Sequence, residues 1–67
     1  MTEVIYESKW YKGYRIDLEI GSMEVEYNTY LNDQFKFGSY GTEPVDQILG
    51  MARADIDSAI EEGEQIV

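Results

Sequence analysis

Residues 14–31, YRIDLEIGSMEVEYNTYL, decide the fold of this 67-residue chain. Apolar and polar side chains alternate from Tyr14 to Ile20 and again from Met23 to Leu31. A period of two is typical of strands that bury one face. Gly21-Ser22 separates the two runs, and a leading glycine favours a type II′ turn. The stretch therefore predicts an antiparallel hairpin.

A third strand is predicted downstream of this hairpin. A three-residue turn over residues 32–34 would pair Leu31 with Phe35 and Thr29 with Phe37. That register places both phenylalanines on the core face, whereas a two-residue turn would send them to the polar face. The three-residue turn is therefore preferred.

A fourth strand is predicted upstream, from Glu3 to Trp10, with a turn near Lys12-Gly13. A three-residue turn there would direct Trp10, Ser8, Tyr6 and Val4 toward the core and leave Ile5 outside. All nine aromatic residues lie between residues 6 and 40. The expected aromatic core is Trp10, Tyr14, Tyr27, Phe35 and Phe37.

The chain beyond Gly41 predicts one amphipathic helix. Thr42 or Glu43 would cap it, with Pro44 as the first helical residue in the second case. Gly63 is a suitable stop. One apolar stripe of about 120° appears at helical spacing. Its members are Val45, Ile48, Leu49, Ala52, Ile56, Ala59 and Ile60.

Together these elements predict an α+β fold. It is an antiparallel meander of three to four strands with one C-terminal amphipathic helix packed on one face. A chain of 67 residues is short enough for a single domain, with residues 1–40 as sheet and residues 42–63 as helix. The second sheet face is expected to remain open to solvent or to a partner.

Composition excludes most kinds of chemistry. The chain has no cysteine and no histidine, which removes disulfides and the commonest zinc ligands, so no metal and no cofactor is expected. No serine has a histidine to activate it, and no phosphate-binding glycine loop occurs, so no catalytic residue and no enzyme activity are expected. No apolar run is long enough to span a bilayer, and an intracellular, cytoplasmic protein is expected.

Net charge points to the class of partner. Fourteen acidic residues against five basic ones give a net charge of −9. Direct binding to nucleic acid or to an anionic membrane is not expected, because both require a positive surface. A basic protein surface is the expected partner, and the alternative is that the acidity serves solubility only.

The predicted hairpin concentrates carboxylates on the open face. A turn at Gly21-Ser22 would place Glu19 opposite Glu24 and Asp17 opposite Glu26. Like charges directly across a strand pair are destabilising, so stability alone does not favour them. Two regular acidic rows would resemble the charge array of a nucleic-acid backbone. The candidate partner-binding residues are Asp17, Glu19, Glu24, Glu26 and Tyr30.

A secondary acidic face is predicted along the helix. Asp46, Asp57 and Glu61 share one stripe, which continues to Glu64 and is interrupted by Arg53. Carboxylates near the C-terminal end oppose the helix dipole, which favours cations there. Solvation is the alternative reading of this stripe.

Two functions are compatible with these features. The first is a small, non-enzymatic inhibitor or regulator that occupies the basic, nucleic-acid-binding surface of a larger protein; phage-encoded DNA-mimic and anti-defence proteins share this size and charge. The second is a structural or accessory subunit that self-associates, for example as a homodimer, through a strand edge or the open face.

Overall fold

The computed structural model describes residues 3–63. The predicted α+β architecture is confirmed: four antiparallel strands form one sheet in the order β1-β2-β3-β4, and the C-terminal helix packs on one face. The elements are β1 (Ile5–Tyr11), β2 (Tyr14–Ile20), β3 (Val25–Leu31), β4 (Gln34–Gly41) and α1 (Val45–Glu61).

The core lies between the helix and the two central strands. Alternate residues of β2 and β3 are buried, as their sequence pattern predicts, and they meet the apolar stripe of α1. Thr29 is fully buried, and its hydroxyl donates to the Phe37 carbonyl over 2.8 Å. The buried residues are Tyr14, Ile16, Leu18, Val25, Tyr27, Thr29, Leu31, Ile48, Ala52 and Ile56.

The turn between β1 and β2 corrects the predicted register. Lys12 and Gly13 form a two-residue turn, with φ values of 49° and 86°, and Tyr11 pairs with Tyr14. The predicted three-residue turn is wrong by one residue, and a one-residue slip reverses the face of every side chain in β1. Trp10, Ser8 and Tyr6 therefore lie on the open face, and Trp10 is 70% exposed rather than part of the core.

The hairpin between β2 and β3 forms, but its predicted register is wrong by two residues. Ile20 pairs with Val25, and the tip of the turn is Ser22-Met23 instead of Gly21-Ser22. Gly21 does not adopt the positive φ of a type II′ turn; its N–H donates to the Glu24 carbonyl over 2.9 Å. A two-residue shift preserves the two faces, so the buried set of β3 stays as predicted. Met23, however, is exposed.

The turn between β3 and β4 shows why the two phenylalanines behave differently. Asn32 and Asp33 both have positive φ and form a two-residue turn, so Leu31 pairs with Gln34 rather than with Phe35. A β-bulge then restores the predicted pairing of Thr29 with Phe37. Phe37 packs against the core as expected, whereas Phe35 lies on the open face and is 58% exposed.

The helix starts later than predicted. Gly41 still pairs with Val25 in the sheet, so the chain needs Thr42 and Glu43 to leave the sheet, and neither of them caps the helix. Pro44 is the N-cap, with an extended ψ of 155° and no side-chain hydrogen bond. At the other end Gly63 has a φ of 101°, which only glycine adopts easily, and its N–H donates to the Ile60 carbonyl.

Two carboxylates of α1 tie the helix to the sheet. Asp55 accepts a hydrogen bond from the Tyr27 hydroxyl, and burial, followed by this bond, raises the pKa of Tyr27 above its ordinary value. Asp57 accepts from the Tyr11 hydroxyl at 3.0 Å and from Lys12 Nζ at 2.8 Å. The bond from Lys12 lowers the pKa of Asp57, and that from Tyr11 adds to the effect. These contacts fix the helix over the β1–β2 turn and β3.

Within residues 3–63, no helix has the length and apolarity needed to cross a bilayer. The 17-residue helix α1 is instead amphipathic, with its apolar stripe on the sheet and charged residues outside.

Candidate functional site

The face of the sheet opposite the helix is built from three cross-strand rows, each with one residue per strand. We call this surface the open face. Its rows run across β1, β2, β3 and β4 in that order. The acidic row is Tyr6, Glu19, Glu26 and Tyr40; the middle row is Ser8, Asp17, Asn28 and Gly38; the cationic row is Trp10, Arg15, Tyr30 and Phe35.

Aromatic side chains occupy the four corners of the open face. Tyr6 and Trp10 lie on the outer strand β1, and Tyr40 and Phe35 lie on the outer strand β4. Tyr6 is 73% exposed and Tyr40 is 66% exposed. Aromatic side chains are enriched in protein interfaces, so their exposure on one surface makes the open face a candidate site.

The middle row carries the smallest side chains at the two outer strands. Its outer positions are Ser8 and Gly38, and a Cβ at Gly38 would lie 2.5 Å from the Asn28 side chain and 2.6 Å from the Tyr27 carbonyl. Only glycine therefore fits this close approach of β4 to β3. Ser8 donates to Asp17 over 2.8 Å. At the β4 end of this row, Asn28 and Gly38 line a shallow concavity together with Phe35 and Tyr40.

The cationic row contains the only basic side chain among the twelve positions of the open face. The Arg15 guanidinium carbon lies 4.7 Å from the centre of the Tyr30 ring, a cation–π distance. Arg15 Nε is 3.2 Å from Asp17, and Nη1 is 3.5 Å from Asp33. Phe35 meets Tyr30 edge to face, with ring centroids 5.9 Å apart.

The acidic row has the opposite chemistry. Glu19 and Glu26 are direct cross-strand partners, and no ion pair engages either of them within residues 3–63. Tyr6 donates its hydroxyl to Glu19 over 3.1 Å, and this bond is the main cause of a raised Tyr6 pKa. Two half-exposed carboxylates therefore lie side by side between two exposed rings.

The structure rearranges the predicted acidic pairs. Glu19 faces Glu26 instead of Glu24, and Asp17 faces Asn28 instead of Glu26, because the turn tip is shifted. Glu24 lies in the β2–β3 loop and is not on the ladder. The loop nevertheless brings Glu19, Glu24 and Glu26 around one open concavity of about 390 Å³. Its other lining residues are Val4, Gly21, Ser22 and Met23.

The remaining predicted residues lie in different settings. Tyr30 lies on the open face beneath Arg15, and Asp17 is engaged by Ser8 and Arg15. On the helix, Asp57 accepts hydrogen bonds from Tyr11 and Lys12. Asp46 and Glu61 are exposed at opposite ends of α1. Glu64 lies outside the described residues.

Sequence reasoning placed four residues of the open face on the core side, namely Tyr6, Ser8, Trp10 and Phe35, and did not include Tyr40 among the candidate residues. For Trp10 and Tyr6 the available signal was Lys12-Gly13, because a glycine in the second position suits a two-residue turn with positive φ. For Phe35 it was Asn32-Asp33, two residues that tolerate the left-handed region. Of the five aromatic residues expected in the core, Trp10 and Phe35 are exposed because both turns have two residues instead of three. The other three, Tyr14, Tyr27 and Phe37, belong to the core or pack against it.

No group of three or more metal-binding side chains is present in the part of the chain that the structure describes. The carboxylates of the acidic row and of the loop line an open concavity. The open face presents negative charge, aromatic ring surface and hydroxyl groups.

Comparisons with protein-family models, with curated proteins and with solved structures gave no match. Any functional assignment therefore rests on the residues of the chain itself.

Proposed function

We propose that the protein is a small, non-enzymatic binding protein whose open face docks on a basic surface of a larger protein. The observation that carries this proposal is the composition of that face. Exposed aromatic side chains stand at its four corners, and Asp17, Glu19 and Glu26 lie between them. Such a face combines contact area with negative charge, and it fits a partner that offers positive charge and planar groups.

The target is the nucleic-acid-binding surface of the partner, and occupation of that surface makes the protein an inhibitor or regulator. A net charge of −9 on 67 residues favours fast, salt-sensitive association with such a surface. The evenly spaced acidic rows expected from the sequence do not support this proposal, since Glu24 is off the ladder. Support comes instead from the mixed aromatic and acidic surface.

The test uses site-specific cross-linking followed by a displacement assay. A photo-reactive phenylalanine analogue replaces Tyr40 on the open face or, as a control, Gln47 on the outer side of the helix. The cross-linking is done in cells that express the chain. Proteins that cross-link to position 40 but not to position 47 are identified and then purified. The proposal requires that the wild type displaces nucleic acid from the purified partner and that the Glu19→Lys, Glu26→Lys double variant does not.

Equal displacement by both proteins, or cross-linking from position 47 only, would count against the proposal. The double variant remains a valid probe because both side chains lie on the open face, away from the core. The two lysines repel each other across the strands as the two glutamates do, so the local repulsion is unchanged.

One observation favours self-association as a second candidate. All of residues 5–10 in β1 are exposed, and Ile5 on the helix side is 53% exposed at a free sheet edge. An uncovered edge strand can pair with a second copy. Sedimentation at low and high salt separates the candidates: a dimer under both conditions favours edge pairing, and a monomer favours docking through the open face.

A further inference from the structure

We infer that the partner inserts an arginine side chain into the concavity at the acidic row, with its guanidinium held by Glu19 and Glu26. This inference rests on the proposed function and specifies the chemistry of its contact. It commits to an arginine-bearing basic protein segment as the occupant of this end of the open face.

The first support is complementary charge in a place shaped for a long side chain. Glu19, Glu24 and Glu26 line the concavity together with two exposed apolar side chains, Val4 and Met23. Carboxylates attract a cationic head, and apolar surface suits the methylene stem behind it. The carboxylates of directly paired strand residues are also close enough for one planar guanidinium fork to reach both.

The second support is the set of contacts made by Arg15, the arginine of the open face. At the other end of the open face, Arg15 lies over the Tyr30 ring at 4.7 Å and pairs with Asp17. The open face thus already holds one guanidinium between an aromatic ring and a carboxylate. The acidic row repeats both components, with two rings and two carboxylates, but residues 3–63 supply no cation to it.

The third support is the arrangement of the rings. Tyr6 and Tyr40 occupy the two ends of the acidic row, separated by three strand spacings, or about 14 Å. Both rings are exposed, and although neither lines the concavity, each is the cross-strand neighbour of one of its carboxylates. A guanidinium stacks on an aromatic face and is less strongly hydrated than an ammonium group, so this setting selects arginine over lysine.

The experiment is a nuclear magnetic resonance titration of the isotope-labelled protein with two capped peptides. One peptide carries four arginines in a glycine-serine background, and the other carries four lysines at the same positions. We expect the arginine peptide to bind roughly tenfold more tightly. We also expect it to shift the amide resonances of Glu19, Glu24 and Glu26 more than those of Asp46.

Matched variants locate the contact. Glu19→Gln with Glu26→Gln removes two charges from the acidic row and should abolish the preference for arginine. Glu43→Gln with Asp46→Asn removes two charges near the start of the helix and should leave the preference intact. Tyr6→Ala with Tyr40→Ala should weaken arginine binding, and Tyr6→Phe with Tyr40→Phe should restore it, because the ring face is what stacks.

Equal affinity for the two peptides, or resonance shifts centred on Trp10 and Phe35, would overturn the inference. Its failure is distinguishable from failure of the proposed function. If Trp10→Ala with Phe35→Ala abolishes displacement of nucleic acid from the partner while Glu19→Gln with Glu26→Gln does not, docking through the open face stands and the arginine contact is wrong. If the peptide preference holds while no open-face variant affects displacement, the proposed function is wrong.

Discussion

Glu19 of β2 and Glu26 of β3 are direct partners across the central strand pair, on the face that the helix leaves uncovered. Like charges in this position destabilise a sheet, because the two carboxylates are held within a few ångströms of each other. Removal of one of these charges should therefore stabilise the fold, while under the proposed function it should weaken binding to the partner.

The first prediction concerns this pair. Glu26→Lys converts a repulsive cross-strand contact into an attractive one and should stabilise the protein by a few tenths to about 1 kcal/mol. Urea unfolding at low salt measures the change. The control is Glu24→Lys, which makes the same change of charge in the β2–β3 loop, away from the ladder, and should stay within about 0.5 kcal/mol of the wild type. Equal gains in both variants would assign the effect to net charge instead of pairing.

The second prediction concerns Gly50, which is exposed in the second turn of α1 and lies off the apolar stripe. A Cβ at this position meets no atom within 4 Å, so Gly50→Ala should improve helix stability by about 1 kcal/mol. For a domain of this size the melting temperature should rise by about 4–8 °C. Gly63→Ala is the matched control and should lower the melting temperature, because Gly63 has a φ of 101°. A fall in the melting temperature of Gly50→Ala would contradict the prediction.

The third prediction is an acid dependence that originates at Asp57. Lys12 and Tyr11 stabilise its ionised form and lower its pKa in the folded state. Its contribution to stability is therefore present above the ordinary carboxyl pKa of about 4 and is lost as the pH falls through the lowered value. Asp57→Asn should be less stable than the wild type at pH 7, and the difference should shrink as the pH falls below the ordinary carboxyl pKa.

Glu61→Gln provides the comparison for Asp57→Asn. It removes one charge from the same helix without affecting the contact to Lys12 and Tyr11. A pH-dependent difference of the same size in Glu61→Gln would place the effect in the overall charge of α1 and not in this contact. Denaturant midpoints measured across the acid range give both results.

The fourth prediction is an alkaline dependence at Tyr27. Burial and the bond to Asp55 raise the pKa of this hydroxyl from its ordinary value of 10.0, so the folded state binds its proton more tightly than the unfolded state. That stability is fully present below pH 10 and is lost progressively above it. Tyr27→Phe should reduce the loss, whereas Tyr40→Phe, at an exposed ring, should retain it. Thermal unfolding between pH 8 and pH 11 distinguishes the variants, and identical alkaline curves for the wild type and Tyr27→Phe would refute the assignment.

Periodicity predicted the parts of this fold that depend on burial. The alternation in β2 and β3 places Tyr14, Ile16 and Tyr27 correctly, because one face of a central strand must be apolar when a helix covers it. The stripe of α1 identifies Ile48 and Ile56 in the same way. Neither result depends on the exact pairing of the strands.

Register was harder to predict, because it depends on turn conformations that differ little in free energy. Placing Trp10 in the core was reasonable from its apolar character, but the two-residue turn at Lys12-Gly13 directs it outward. Phe35 and Phe37 look alike in the sequence, and only the bulge between them assigns one to each face. The candidate site was affected most, because its members are the residues whose face the turns decide.

Helix α1 packs against β2, β3 and β4, while residues 5–10 of β1 are exposed on both sides. Amide hydrogens of this edge strand should consequently exchange with solvent faster than those of β2 and β3, because few apolar contacts hold it to the core. Local opening of β1 would carry Tyr6 and Trp10 away from the open face. A bound partner that contacts either ring holds the strand in place, so slower amide exchange in β1 is a direct readout of docking.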